Sequence, residues 1–113
     1  MSERSPPSRT QIAPEERQRR SQLTQIVSQR GLLRANLLVR RRVCGKEGCR
    51  CTRGALHESL YLAVSEKGRT RQLYVPKDWE PTVRRWVADY HQARQLMDEI
   101  SRLYWEKVRT RKP

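Results

Sequence analysis

VCGKEGCRCTRGALH, residues 43–57, holds all three cysteines of the chain and one of its two histidines. Cys44, Cys49, Cys51 and His57 are spaced C-x4-C-x-C-x5-H, with Lys46, Arg50 and Arg53 set among them. Four chemistries compete for such a stretch. A disulfide leaves one of the three cysteines over, and thiols stay reduced in a cytoplasm. An iron–sulfur cluster usually takes four thiolates, so this chain would need a second copy or histidine ligation; iron stays open as a rival on those terms. A redox pair would more typically read C-x-x-C beside a βαβ pattern. Zinc suits the donors best: three cysteines and a histidine are a structural ligand set, and close spacing lets one reversal of the chain surround the ion tetrahedrally. Gly45, Gly48 and Gly54 give such a knuckle the backbone freedom it needs.

A catalytic zinc would instead keep one position for water and have a general base nearby, for which Glu47 and Glu58 are the candidates. With His57 at good spacing, the closed four-ligand site is the simpler arrangement, and no catalytic residue is assigned. Three thiolates, a neutral imidazole and a zinc dication leave a single net negative charge. Lys46, Arg50, Arg53 and the run Arg40-Arg41-Arg42 exceed what screening that charge requires. The surplus points to an external anion.

The whole chain points the same way. Its 113 residues carry 25 Lys+Arg against 12 Asp+Glu, a net charge of +13. The excess is not spread evenly. Residues 30–77 have 12 basic side chains and only Glu47, Glu58 and Glu66, whereas residues 78–106 have four basic and six acidic ones. Twenty of the basic residues are arginines, which pair with phosphate in bidentate fashion. Hydrophobic residues are 35% of the chain and there is no Phe, so the core is small and a metal would staple it. No apolar run approaches a membrane span, and MSERSPPSRTQ lacks the apolar core of a secretory signal. A membrane partner is therefore not expected.

The remaining sequence reads as α+β. Residues 1–12, with Pro6 and Pro7, are expected to be a disordered tail, 13–109 a single small zinc-knuckle and helical domain, and 110–113 a basic tail. Pro14, Glu15 and Glu16 suit the first turn of a helix that continues through Leu23, Ile26, Val27 and Arg30 and stops at Gly31. Leu37-Leu38-Val39 with the arginines that follow predicts a strand leading into the cysteine loop. LYLAVSEKGRTRQLYV, residues 60–75, predicts a short antiparallel hairpin or sheet turning at Lys67-Gly68. Asp78 is positioned to cap a helix over about 79–109. Along it Val83, Val87, Tyr90, Met97, Ile100, Tyr104 and Val108 recur on one face, with Trp86 and Leu103 beside them. Such a helix outruns a hairpin, so its distal half needs the N-terminal helix or a second copy of the chain. Trp86, Tyr90, Met97, Ile100 and Tyr104 are the expected interface residues.

Three blocks of this sequence resemble a bacterial domain family of unknown function. Its core, C-G-K-x-x-C-x-C-x-x-G-x-x-H, is matched by Cys44-Gly45-Lys46, Cys49-Arg50-Cys51, Gly54 and His57. Its hairpin G-K-T-R-x-x-Y-V-P is approached by Gly68-Arg69-Thr70-Arg71-Gln72-Leu73-Tyr74-Val75-Pro76, and its helix V-R-R-W-V-x-x-Y by Val83 to Tyr90. The resemblance covers about 40–105. Where the family has Gly-Pro after the histidine, this chain has Glu58-Ser59. The resemblance implies a bacterial zinc-ribbon-like module, often near mobile genetic elements, and no particular activity; the cytoplasm is expected from the sequence's lack of a secretory signal and of a membrane-span run.

Together these features predict a non-catalytic, zinc-containing protein that binds DNA or RNA, as an accessory subunit of a mobile-element or other nucleoprotein complex, with homodimerisation open. Arg40, Arg41, Arg42, Lys46, Arg50, Arg53, Arg69 and Arg71 are the expected phosphate contacts. Tyr61 and Tyr74 read as the outer face of a small sheet before base-stacking residues, and His91 as an ordinary surface or interface histidine. Two other classes stand beside this one: an adaptor docking through the long helix, and a zinc-dependent hydrolase.

Overall fold

The computed structural model describes residues 12–42 and 57–113. Helix α1 spans Pro14–Gln29, strand β1 Asn36–Arg42, β2 His57–Glu66 and β3 Arg69–Val75. A single 3-10 turn at Lys77–Trp79 then leads into helix α2, Glu80–Thr110. The architecture is α+β: one helix at each end and a three-stranded antiparallel sheet in the order β1-β2-β3. The chain forms two compact units, one of Leu32–Tyr90 and one of Met1–Gly31 with His91–Pro113.

In the first unit the turn between β2 and β3 dictates the register. Lys67 and Gly68 both have positive φ, 51° and 75°. That is the two-residue turn whose twist matches that of antiparallel strands. Counting outward from it, Glu66 pairs with Arg69, Leu62 with Leu73, Tyr61 with Tyr74 and Leu60 with Val75. Strand β1 adds to the other side of β2, Leu37 opposite Leu62 and Val39 opposite Leu60. Because side chains alternate along a strand, Leu60, Leu62, Leu37 and Val75 share a face. Leu60, Val75 and Ala35 are buried with Val83 and Val87 of α2, and Leu33, Leu37 and Leu62 pack around them. The backbone N–H of Leu33 donates to the Trp86 carbonyl (3.2 Å), which ties the segment entering β1 to the helix.

In the second unit α1 lies antiparallel to the last five turns of α2. Leu23 and Ile26 pack on Ala93 and Leu96, near the start of that stretch. Farther along, Arg19 meets Glu99 at 2.9 Å. Still farther, Glu16 receives a hydrogen bond from the Tyr104 hydroxyl (3.0 Å) and ion pairs from Arg20 (2.7 Å) and Lys107 (3.7 Å). The long helix thus finds the N-terminal helix of its own chain as a partner.

Several local expectations are corrected. Helix α1 ends at Gln29, and Arg30 already has extended backbone (φ −123°, ψ 150°), so the exit does not use a left-handed Gly31. Asp78 lies inside the 3-10 turn instead of capping α2, because Pro76 starts that turn two residues earlier. The buried stripe of α2 runs through Val83, Val87, Ala93, Leu96 and Ile100, passing beside Met97, which is 52% exposed, and leaving Val108 73% exposed. Val27 of α1 likewise points to solvent. No helix among the described residues is long and apolar enough to cross a membrane.

Candidate nucleic-acid interface

The same alternation that buries Leu60 gives the sheet a second face, turned away from Val83 and Val87. Positions one step out of phase with Leu60 make it up, among them Asn36, Leu38 and Arg40 on β1, His57, Ser59, Tyr61, Ala63 and Ser65 on β2, and Thr70, Gln72 and Tyr74 on β3. Leu38, Tyr61 and Tyr74 form one row across the three strands, and Asn36, Ala63 and Gln72 the next.

The side chains of this face touch one another. The Tyr61 and Tyr74 rings meet edge-to-face, centroids 5.7 Å apart at 68°. The Arg40 guanidinium lies over the Tyr61 ring, 4.9 Å from its centroid, within cation–π range. Arg40 also donates to the Gln72 side-chain carbonyl, reaching across β2 to do so. These two contacts orient the exposed Arg40 side chain, and Tyr74 is half exposed on β3.

The carboxylates of the sheet all fall on one face. The strands contain two carboxylates, Glu58 and Glu66, and both belong to the Leu60 set of positions. Glu58 is paired with Arg41 at 2.8 Å and Glu66 with Arg71 at 3.5 Å. The Arg40–Tyr61–Tyr74 face contains no Asp or Glu among the described strand residues. An anion approaching it meets a fixed cation and no opposing carboxylate.

The arginines expected to act together are therefore separated. Arg40 lies on the open face, while Arg41 and Arg71 lie on the other, each answering a glutamate, and Arg69 shares their side of the register opposite Glu66. Arg42 ends β1 with His57 as its partner. Lys46, Arg50 and Arg53 lie outside the described residues, as do Cys44, Cys49 and Cys51. Glu58, one imagined base for a catalytic metal, is held by Arg41, and Glu47 lies outside the described residues.

Of the four expected zinc ligands, His57 is described: it opens β2, exposed, directly opposite Arg42. The ladder thus pairs Arg42 with His57, the described residues that precede and follow 43–56 in the chain, and Cys44 follows Arg42 in the sequence by two residues. By their chemistry, three thiols and an imidazole are a donor set that fits zinc. Among the described residues no group of three or more His, Cys, Asp or Glu is assembled for a metal.

The expected interface residues take different places. Ile100 is buried and Tyr90 half-buried, and Trp86 meets Trp79 edge-on, centroids 6.0 Å apart. Met97 is exposed, and Tyr104 turns its hydroxyl to Glu16. Sequence reasoning missed Leu38 and Gln72, and it passed over the contact that joins Arg40 to Tyr61. A signal for the Tyr61–Tyr74 pair was present: both lie equally far from the Lys67-Gly68 turn.

Comparison with curated proteins and with solved structures found no match. A family model does match, over residues 12–85, which takes in α1, the sheet, the cysteine segment and the start of α2. The chain belongs to the family described as Domain of unknown function (DUF6788).

Proposed function

We propose that this chain is a non-catalytic nucleic-acid-binding protein in which zinc, held by Cys44, Cys49, Cys51 and His57, stiffens a basic loop at one end of the sheet. The observation that carries the proposal is the acid-free sheet face on which Arg40 is held over Tyr61 and tied to Gln72. Arginine fixed in a polar frame loses little freedom on binding phosphate, and the excess positive charge of residues 30–77 supplies long-range attraction. Such a module suits an accessory role, presenting DNA or RNA to a larger nucleoprotein complex.

Fluorescence anisotropy across a salt series tests this. Binding through about six phosphates gives a log–log slope of roughly −5 on duplex DNA, and Arg40→Gln lowers affinity. Affinity no greater than that of an unstructured peptide of equal charge, with no response to Arg40→Gln, rejects it.

A second class keeps support from one observation. On the distal part of α2, Met97, Trp105 (76% exposed) and Val108 form an uncovered apolar strip. An adaptor that docks through α2 would lose its partner on Trp105→Ala and keep it on Arg40→Gln, the reverse of the pattern expected for nucleic-acid binding.

A further inference from the structure

We infer that the open sheet face selects single-stranded nucleic acid, reading the flat surface of unpaired bases through Tyr61, Tyr74 and the guanidinium of Arg40. This deepens the proposed nucleic-acid function and rests on it. Tyr61 and Tyr74 are cross-strand partners, and their rings meet edge-to-face, centroids 5.7 Å apart. Along β2 the residues that flank Tyr61 on this face are Ser59 and Ala63, both small. The guanidinium of Arg40 lies over one side of the Tyr61 ring, so the flat surface offered to a base there is the guanidinium itself, with the half-exposed ring of Tyr74 on the neighbouring strand.

The third surface is Arg40. Its guanidinium is planar, lies over the Tyr61 ring, and is steadied by Gln72 on the far strand. A planar cation of this kind stacks on a base and faces the adjoining phosphate with the same group. Leu38 completes the row on the outer edge, part exposed, an apolar margin for a base at the end of the platform.

Duplex and single strand differ in what they offer to such a face. In a duplex the base faces are stacked on each other, so phosphates, sugars and the base edges in the grooves can be engaged but the flat faces cannot. A single strand can splay its bases onto aromatic rings, and each base so stacked adds to affinity whatever its identity. A face built only for phosphate would be expected to gather its arginines together. Here Arg41 and Arg71 sit on the opposite side of the sheet, paired with glutamates, and rings occupy the middle of the open face. The stated occupant is thus a single strand of either sugar type.

The test measures anisotropy with labelled 12-nucleotide DNA and RNA of mixed sequence, each as a single strand and as its blunt duplex, at two salt concentrations. Four proteins are compared: the natural chain, Tyr74→Leu, Tyr74→Phe and Tyr61→Leu. Leucine keeps apolar bulk on the strand but removes the ring, and phenylalanine keeps the ring but removes the hydroxyl. Thermal melting confirms that each variant folds. The expected result is a single-strand preference in the natural chain, a loss of about tenfold per tyrosine-to-leucine change on single strands, and retention in Tyr74→Phe. Duplex affinity should change less than twofold. The DNA and RNA arms show which sugar the face prefers.

Salt-dependent binding with equal affinity for duplex and single strand, or equal losses on both, overturns this inference and leaves the proposed function in place. Single-strand binding indifferent to both leucine variants overturns it as well. Absence of salt-dependent binding to all four probes removes the proposed function and this inference with it.

Discussion

The Tyr104 hydroxyl donates a 3.0 Å hydrogen bond to the carboxylate of Glu16, joining the two ends of the chain eighty-eight residues apart. Glu16 is 1% exposed, yet it is charged and surrounded by donors: Arg20, Lys107 and Tyr104. Burial alone would push its carboxyl up. The hydrogen bonds from Arg20 and Tyr104 and the nearby charges of Arg20 and Lys107 outweigh that and hold it below its ordinary value. The same contacts raise Arg20, chiefly through its hydrogen bond to Glu16.

The depressed carboxyl makes the helix pair acid-sensitive. A group whose folded-state pKa is lowered contributes stability that is complete above its unfolded value, about 4.3, and is lost as pH falls through the folded value. Thermal melts between pH 7 and pH 3 should therefore show a decline beginning below about pH 4.3, and Glu16→Gln should flatten it. Arg20→Ala leaves the buried carboxylate with fewer partners. Since Arg20 is half exposed, a loss of about 1–3 kcal/mol is expected.

Leu60 and Leu73 belong to the same face of the sheet, but only one of them is covered. Leu60 is 2% exposed among Ala35, Val75, Val83 and Val87, whereas Leu73 is 66% exposed. Leu60→Ala should cost about 2–4 kcal/mol through lost burial and the cavity left behind. Leu73→Ala should stay within about 0.5 kcal/mol. Chemical denaturation of both variants checks the coverage; comparable losses would mean that the apolar layer extends over Leu73.

The β2–β3 turn offers a gain instead of a loss. Lys67 holds a left-handed backbone (φ 51°) that asparagine adopts at lower cost, so Lys67→Asn should stabilise the protein by about 0.5–1 kcal/mol. At Gly68 an added Cβ would meet no atom within 4 Å, but φ is 75°. Gly68→Ala should therefore cost about 1 kcal/mol from the backbone alone. Opposite shifts in melting temperature are the signature.

For the cysteine segment the expected composition is about one zinc per chain by elemental analysis of the purified protein. Removal with a chelator should lower the melting temperature, since metal binding stabilises only the folded chain. Cys49→Ser with Cys51→Ser should abolish retention of the ion. A brown protein with visible absorption would replace zinc by an iron–sulfur cluster, and a metal-free protein of unchanged stability would end the proposal.

The order and type of the elements lay in the sequence by itself. Pro14 with two glutamates opened α1, the apolar period marked α2, and Lys67-Gly68 between β-prone runs marked the hairpin. These are local signals, each written within a few residues. The family resemblance also came from short motifs, in the cysteine segment, the hairpin and the start of α2. What the sequence left open was which residues share a face. Strand β1, NLLVRRR, has no alternation, so Arg40 and Arg41 are equivalent until β1 pairs with β2. A slip of one residue would exchange them, because side chains alternate with a period of two. Pairing Val39 with Leu60 sets Arg41 beside Glu58 and sets Arg40 over Tyr61. In the same way, Leu96 is covered and its neighbour Met97 is not because α1 meets one side of α2 there. Both outcomes depend on contacts between residues far apart in the chain, and only the folded structure makes those contacts.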